Sequence, residues 1–266
     1  MTFLTRNNVV EQGVREGQPL LFAHGFGCDQ NMWRYVWPRF ADDYRVVLFD
    51  HVGAGGSDLS AYDPDRYSSL RGYAEDVLEI CRELDLSDVV LVGHSVSAMI
   101  GVLAAAAEPG RFASLVLVGP SPRYIDDEDG YVGGFSREDI EGLLDSMDSN
   151  YLGWSSQMAP VIMGNEERPE LGEELTNSFC RTDPEIARSF ARVTFLSDNR
   201  ADLAQVKVPA LVLQCSNDAI APEAVGRYVA EAMPGGSFAM LDAVGHCPNL
   251  SAPEQTVAAI EEFLGG

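Results

Sequence analysis

The sequence predicts an α/β domain: a mostly parallel β-sheet covered by helices, with a four-helix insertion late in the chain. Three observations carry this. Short apolar runs rich in β-branched residues recur along the chain and end in turns. Stretches of helical composition or spacing lie between several of them. Between about 125 and 202 the strand-like runs stop, acidic residues dominate, and several helix starts appear.

Taken in order, residues 9–13 and the short segment before them suggest an edge hairpin. Residues 18–23 form the first buried strand, which runs into the loop His24-Gly25-Phe26-Gly27-Cys28-Asp29. Residues 45–50 are the next strand, followed by a Gly-rich stretch from His51 to Asp58. No helix starts at those glycines and Asp63-Pro64 soon breaks the chain, which argues against a dinucleotide loop. A structural turn is expected there, with His51 exposed or satisfied locally. Over residues 70–84, Tyr73, Val77, Ile80, Cys81 and Leu84 recur at helical spacing.

Residues 89–92 read as a buried strand, and residues 97–107 have helix-forming composition. Residues 115–119 are another strand. In the inserted segment, Ser136 with Asp139 resembles a capping box. Tyr151 to Trp154 opens a further helix, Arg168-Pro169 precedes one reaching Phe179, and Asp183-Pro184 supplies an N-cap and a first-turn proline. Strands resume at 208–214 and 237–241, and a helix over 253–264 closes the chain. The expected division is a core of residues 1–124 and 203–266 with a helical lid over 125–202.

At 266 residues and 46% hydrophobic, the chain can bury a full core. A net charge of -23 argues against a nucleic-acid partner, whose backbone would be repelled. Only Lys207 is lysine among the basic residues, a bias that fits a salt-adapted or high-GC source. No apolar run is long enough to cross a bilayer, and residues 1–7 do not resemble a signal peptide. The five cysteines are scattered without a C-x-x-C pair, which reads as free thiols in a reducing compartment. Neither a metal nor a cofactor is expected, since no two of the four histidines sit at helical ligand spacing.

The chemistry centres on Gly93-His94-Ser95-Val96-Ser97. A strand that turns sharply into a helix with serine at the corner is the nucleophile-elbow pattern, here with Ser97 where the full pattern has glycine. Ser95 would stand clear of the sheet, and the helix N-terminus would aim free N–H groups at a developing oxyanion. By position, the main-chain N–H of Phe26 is the second oxyanion donor beside that of Val96. Asp218 and His246 each follow a core strand, in the order nucleophile, acid, base. Loops after parallel strands share one sheet edge, so the three would converge. Asp242 reads as a turn residue and Asp202 precedes its strand, which makes both poorer candidates for the acid. His94 cannot easily turn back as the base. The Phe26 ring would line the pocket; Tyr124, Phe135, Trp154, Met158, Val193 and Phe195 either pack the lid or line that pocket.

These motifs, with Gly119-Pro120-Ser121-Pro122-Arg123-Tyr124 and Gly245-His246-Cys247-Pro248, resemble the RsbQ family of α/β-hydrolases, to which the plant karrikin and strigolactone receptors belong. The resemblance covers nearly the whole chain. It implies the α/β-hydrolase fold, a four-helix lid over a small hydrophobic cavity, and slow hydrolysis of small esters or butenolide-type lactones. It also implies a cytoplasmic protein and a stress-signalling role with a PAS-domain phosphatase partner. Hydrolysis and ligand sensing remain alternative outputs; a cofactor-free oxidase or C–C hydrolase on the same fold is a third.

Overall fold

The computed structural model describes residues 2–128 and 130–265. Among the described residues, seven strands form one sheet: β1 (Val10–Gly13), β2 (Gln18–Ala23), β3 (Tyr44–Leu48), β4 (Val89–His94), β5 (Phe112–Val118), β6 (Ala210–Asn217) and β7 (Gly236–Val244). Their order is β1-β3-β2-β4-β5-β6-β7. β1 is antiparallel to β3, and every other neighbouring pair is parallel.

The apolar strands are uniformly apolar because both faces are covered. In β2, Leu20 and Phe22 join one hydrophobic cluster while Leu21 and Ala23 join the other; in β4, Val90 and Val92 separate from Val89 and Leu91 in the same way. This is the two-residue side-chain period of a strand, read out as two cores.

Eleven helices are described: α1 (Phe3–Arg6), α2 (Leu70–Glu83), α3 (Val96–Ala107), α4 (Arg137–Ser149), α5 (Tyr151–Met163), α6 (Pro169–Arg181), α7 (Pro184–Phe195), α8 (Arg200–Leu203), α9 (Glu223–Ala232), α10 (Pro248–Ser251) and α11 (Pro253–Gly265). The caps read from sequence are present. Ser136 and Asp139 form a reciprocal capping box on α4. Asp183 accepts from the N–H groups of Glu185 and Ile186 at the start of α7, with Pro184 next to it. α5 and α6 approach closely: a Cβ at Gly172 would lie 3.2 Å from the Cα of Pro160. α6 is tied to the segment after β2 by a two-pronged Arg34–Glu174 pair, both bonds 2.7 Å.

Three expectations are corrected. The N-terminal segment is not a hairpin: Thr2 caps Thr5, residues 3–6 turn helically, and β1 pairs with β3 rather than with its own predecessor. His51 is not exposed but fully buried, with its ring on Ser97. Asp242 is not in a turn, because β7 extends through Val244 and Asp242 points outward from it. The expected domain ranges also include Met1, Asp129 and Gly266, which lie outside the described residues.

Parallel register brings the site together. Gly93 pairs with Leu117, Val118 with Leu213, and Asn217 with Val244. β4 and β5 end together, β6 and β7 run on past them to a common end of their own, and Ser95, Asp218 and His246, each one or two residues past its strand, all emerge at the same sheet edge.

Candidate active site

Ser95 sits at the β4–α3 corner with φ 56° and ψ -121°. Left-handed backbone is strained for a non-glycine residue, and here it lifts the side chain off the sheet. The corner works only with a small residue beforehand: a Cβ at Gly93 would lie 2.4 Å from the Ser97 carbonyl oxygen.

His246 Nε2 lies 2.8 Å from Ser95 Oγ, and His246 Nδ1 lies 2.7 Å from Asp218 Oδ2. A carboxylate only accepts, so Nδ1 carries the proton and Nε2 is free to accept from the serine hydroxyl. Asp218 is held in turn by the N–H groups of Ile220 (2.8 Å) and Ala221 (3.1 Å) on its other oxygen. Burial works against its charge, but the attraction of His246, together with these hydrogen bonds, outweighs it and holds the carboxyl below its ordinary value. Gly119, at φ 57°, passes under the imidazole; a Cβ there would stand 3.1 Å from His246 Cε1.

The rivals are placed elsewhere. His94 donates from Nε2 to the His246 carbonyl at 2.8 Å. Burial, then the neighbouring His246, pushes it down to about 3, so it is a neutral brace and a poor base. Asp202 is engaged by Arg71 at 2.9 Å. Two thiols, Cys28 and Cys247, also border the site. Burial pushes Cys28 up to about 12 and raises Cys247 as well, so both stay protonated.

The Phe26 and Val96 N–H groups have no hydrogen-bond partner among the described residues. Val96 N–H is the first of α3, where helical amides are left unpaired.

Beside Ser95 lies a cavity of about 40 Å³ with an almost wholly apolar lining. Of the expected pocket residues, Phe26, Tyr124 and Phe195 line it. Burial pushes the Tyr124 phenol up to about 12, so it stays protonated beside Ser95. Four others do not reach the cavity. Trp154 stands behind the rings of Phe26 and Phe179, at 6.3 and 5.3 Å between centroids. Phe135 and Met158 pack against the core as half-buried residues, and Val193 faces a separate surface groove. The sequence reading missed Leu175, Phe179, Ile162, Thr194 and Ile220, which also line the cavity. Leu171, Leu175 and Phe179 recur every four residues in α6, a stripe that could have been found.

Residues 20–260 match the alpha/beta hydrolase family. The chain belongs to that family. Among its relatives, Karrikin insensitive 2 receptor CA of Petunia hybrida is 41% identical over 244 residues, covering 91% of this chain and 90% of the relative. A strigolactone esterase of Arabidopsis thaliana is 38% identical, covering 98% and 99%. Among solved structures, a hydrolase from Oleispira antarctica has a TM-score of 0.96 at 41% identity, covering 99% of this chain and 96% of that one. This alpha/beta hydrolase is an enzyme of the hydrolase class, and its likeness to the karrikin and strigolactone proteins spans almost its whole length. Among its described residues, no helix is long and apolar enough to cross a membrane.

Proposed function

We propose that this hydrolase cleaves small hydrophobic esters or butenolide-type lactones through an acyl-enzyme, with Ser95 as nucleophile, His246 as general base and acid, and Asp218 as the group that orients His246. The observation that carries this is the continuous chain Ser95 Oγ–His246 Nε2, His246 Nδ1–Asp218 Oδ2, at 2.8 and 2.7 Å. As Ser95 Oγ bonds to the carbonyl carbon, its proton passes to His246 Nε2. The same proton then goes to the departing alkoxide. The Phe26 and Val96 N–H groups receive the oxyanion, each worth on the order of 3 kcal/mol. Water, deprotonated by His246, releases the acyl group.

The apolar lining favours a hydrophobic substrate. A volume near 40 Å³ is far below the roughly 300–1,000 Å³ usual for a ligand pocket. Either the substrate is very small or the helices over the cavity shift to admit it. We therefore infer that residues 125–202 act as a lid over a core of 1–124 and 203–266. Leu175 and Phe179 on α6 and Phe195 on α7 are the groups that must give way.

A second reading is ligand sensing with slow residual hydrolysis, in the cytoplasm and through a signalling partner such as a PAS-domain phosphatase. It is favoured by the receptor named among the relatives and by a hydrogen bond from His246 N–H to the α5 carbonyl of Ile162, which couples the base to the lid. The two readings separate on turnover. Wild type and Ser95→Ala are incubated with a butenolide probe and followed by intact mass and product release. A hydrolase gives steady release; a sensor gives one burst, a persistent adduct and a shifted melting temperature. No adduct and no release in wild type would sink both.

A further inference from the structure

The full elbow pattern ends in glycine, and this chain has serine there. Ser97 is fully buried, and its hydroxyl is engaged on two sides. Oγ donates to the His24 carbonyl at 2.5 Å and lies 2.7 Å from His51 Nε2. Its one hydrogen being spent on the carbonyl, Ser97 accepts from His51, so His51 carries its proton on Nε2. His51 Nδ1 is then bare, and it is buried without a partner among the described residues.

The His51 main chain continues the linkage. Its N–H donates to His24 Nε2 at 3.1 Å. His24 therefore holds its proton on Nδ1, which donates to the Gly25 carbonyl at 2.8 Å. That carbonyl and the Phe26 N–H belong to one planar trans peptide and point in opposite directions. Fixing the first aims the second. Meanwhile Ser97 rides on α3 directly after Val96, the other free donor.

We propose that Ser97 and His51 are positioning residues that lock the loop carrying the Phe26 N–H to the helix carrying the Val96 N–H, so that both donors meet one oxyanion. The proposal rests on the acyl-enzyme reading above. Glycine at position 97 would leave the His24 carbonyl and the His51 Nε2–H without this shared partner.

The test uses the full chain, 4-nitrophenyl acetate as substrate and an alkyl trifluoromethyl ketone as probe. Ser95 Oγ adds to the ketone carbon, its proton passes to His246, and the ketone oxygen becomes a bound oxyanion. Ser97→Ala is expected to lower kcat about 10- to 100-fold with little change in KM, and to weaken the ketone by the same factor. Ser97→Thr, which keeps a hydroxyl, should recover most of both. His51→Phe keeps a ring among Phe49, Tyr73 and Phe190 but lacks the donor, and should move both quantities the same way. If Ser97→Ala does not fold, His51→Phe decides. A fall in melting temperature with kcat and ketone affinity unchanged would make the pair merely structural and overturn the proposal. A wild type that neither turns over the ester nor binds the ketone overturns the acyl-enzyme reading and this one with it. A wild type that does both, beside variants with undiminished ketone affinity, overturns only this one.

Discussion

The main-chain N–H of His246 donates to the carbonyl of Ile162 at 2.8 Å. Ile162 lies in the last turn of α5, so a helix from the inserted segment is bonded directly to the residue in line with Ser95. Asn165 Nδ2 reinforces the junction by donating to Met163 O at 2.7 Å and to Val244 O at 2.8 Å. Gly245 permits the contact: it has φ 90°, and a Cβ there would fall 1.8 Å from the Met163 carbonyl oxygen. Gly245→Ala should therefore push α5 away from His246. Expected are a stability loss of about 2 kcal/mol or more in a denaturant titration and a fall in kcat. An unchanged midpoint would show that this junction is not held in solution.

Asp218→Asn tests the orientation of His246. The amide can keep its oxygen on the Ile220 and Ala221 N–H groups, but its NH₂ would then face His246 Nδ1. That forces the other tautomer, with a proton on Nε2, where the serine proton must go. Ester hydrolysis should drop about 10³- to 10⁴-fold with the fold intact. A drop below tenfold in steady-state kinetics would remove Asp218 from the account.

The buried His94 predicts an acid-linked instability. Its folded value is about 3 against an ordinary 6.5, so between those limits the unfolded chain binds a proton that the folded chain does not. Stability contributed by neutral His94 is full above pH 6.5 and falls with pH at about 1.4 kcal/mol per unit down to about 3. His94→Gln can still donate to the His246 carbonyl yet does not titrate. The wild-type stability slope between pH 4.5 and 6.5 should exceed that of His94→Gln by nearly one proton. Equal slopes in urea titrations would contradict the assignment.

The strands, the caps of α4 and α7, and the juxtaposition of Ser95, Asp218 and His246 were legible in the sequence because each depends on local pattern or on parallel strands pointing their ends to one sheet edge. The α/β-hydrolase fold was legible through the elbow at Ser95 and the motifs that resemble the RsbQ family. The first strand's partner was not, since pairing β1 with β3 is a long-range choice that residues 9–13 do not encode. Nor was the burial of His51, whose partner lies 46 positions away. The pocket was read from large aromatic side chains, which favoured Trp154 and Phe135. Position around the cavity instead depends on how the helices of 137–195 turn their faces, so Leu175 and Thr194 reach it while Val193 does not.

Cavity size gives a specificity prediction. Phe179 is fully buried, and its ring occupies the place a Cβ on Gly27 would take, 1.8 Å away. Phe179→Ala should enlarge the cavity and shift preference from acetyl toward longer acyl esters. The accompanying stability loss is expected at about 3–5 kcal/mol. The ratio of kcat/KM for 4-nitrophenyl hexanoate over acetate reads this directly, and a ratio no higher than wild type would show that Phe179 does not limit the site.

The most direct test of the central claim is the hydrolysis of 4-nitrophenyl acetate by wild type beside Ser95→Ala, with intact mass recorded during turnover. The account predicts a transient acetyl adduct that maps to Ser95 and a rate at least about 10³-fold lower in the variant. Equal rates in the two proteins, or an adduct at another residue, would contradict it.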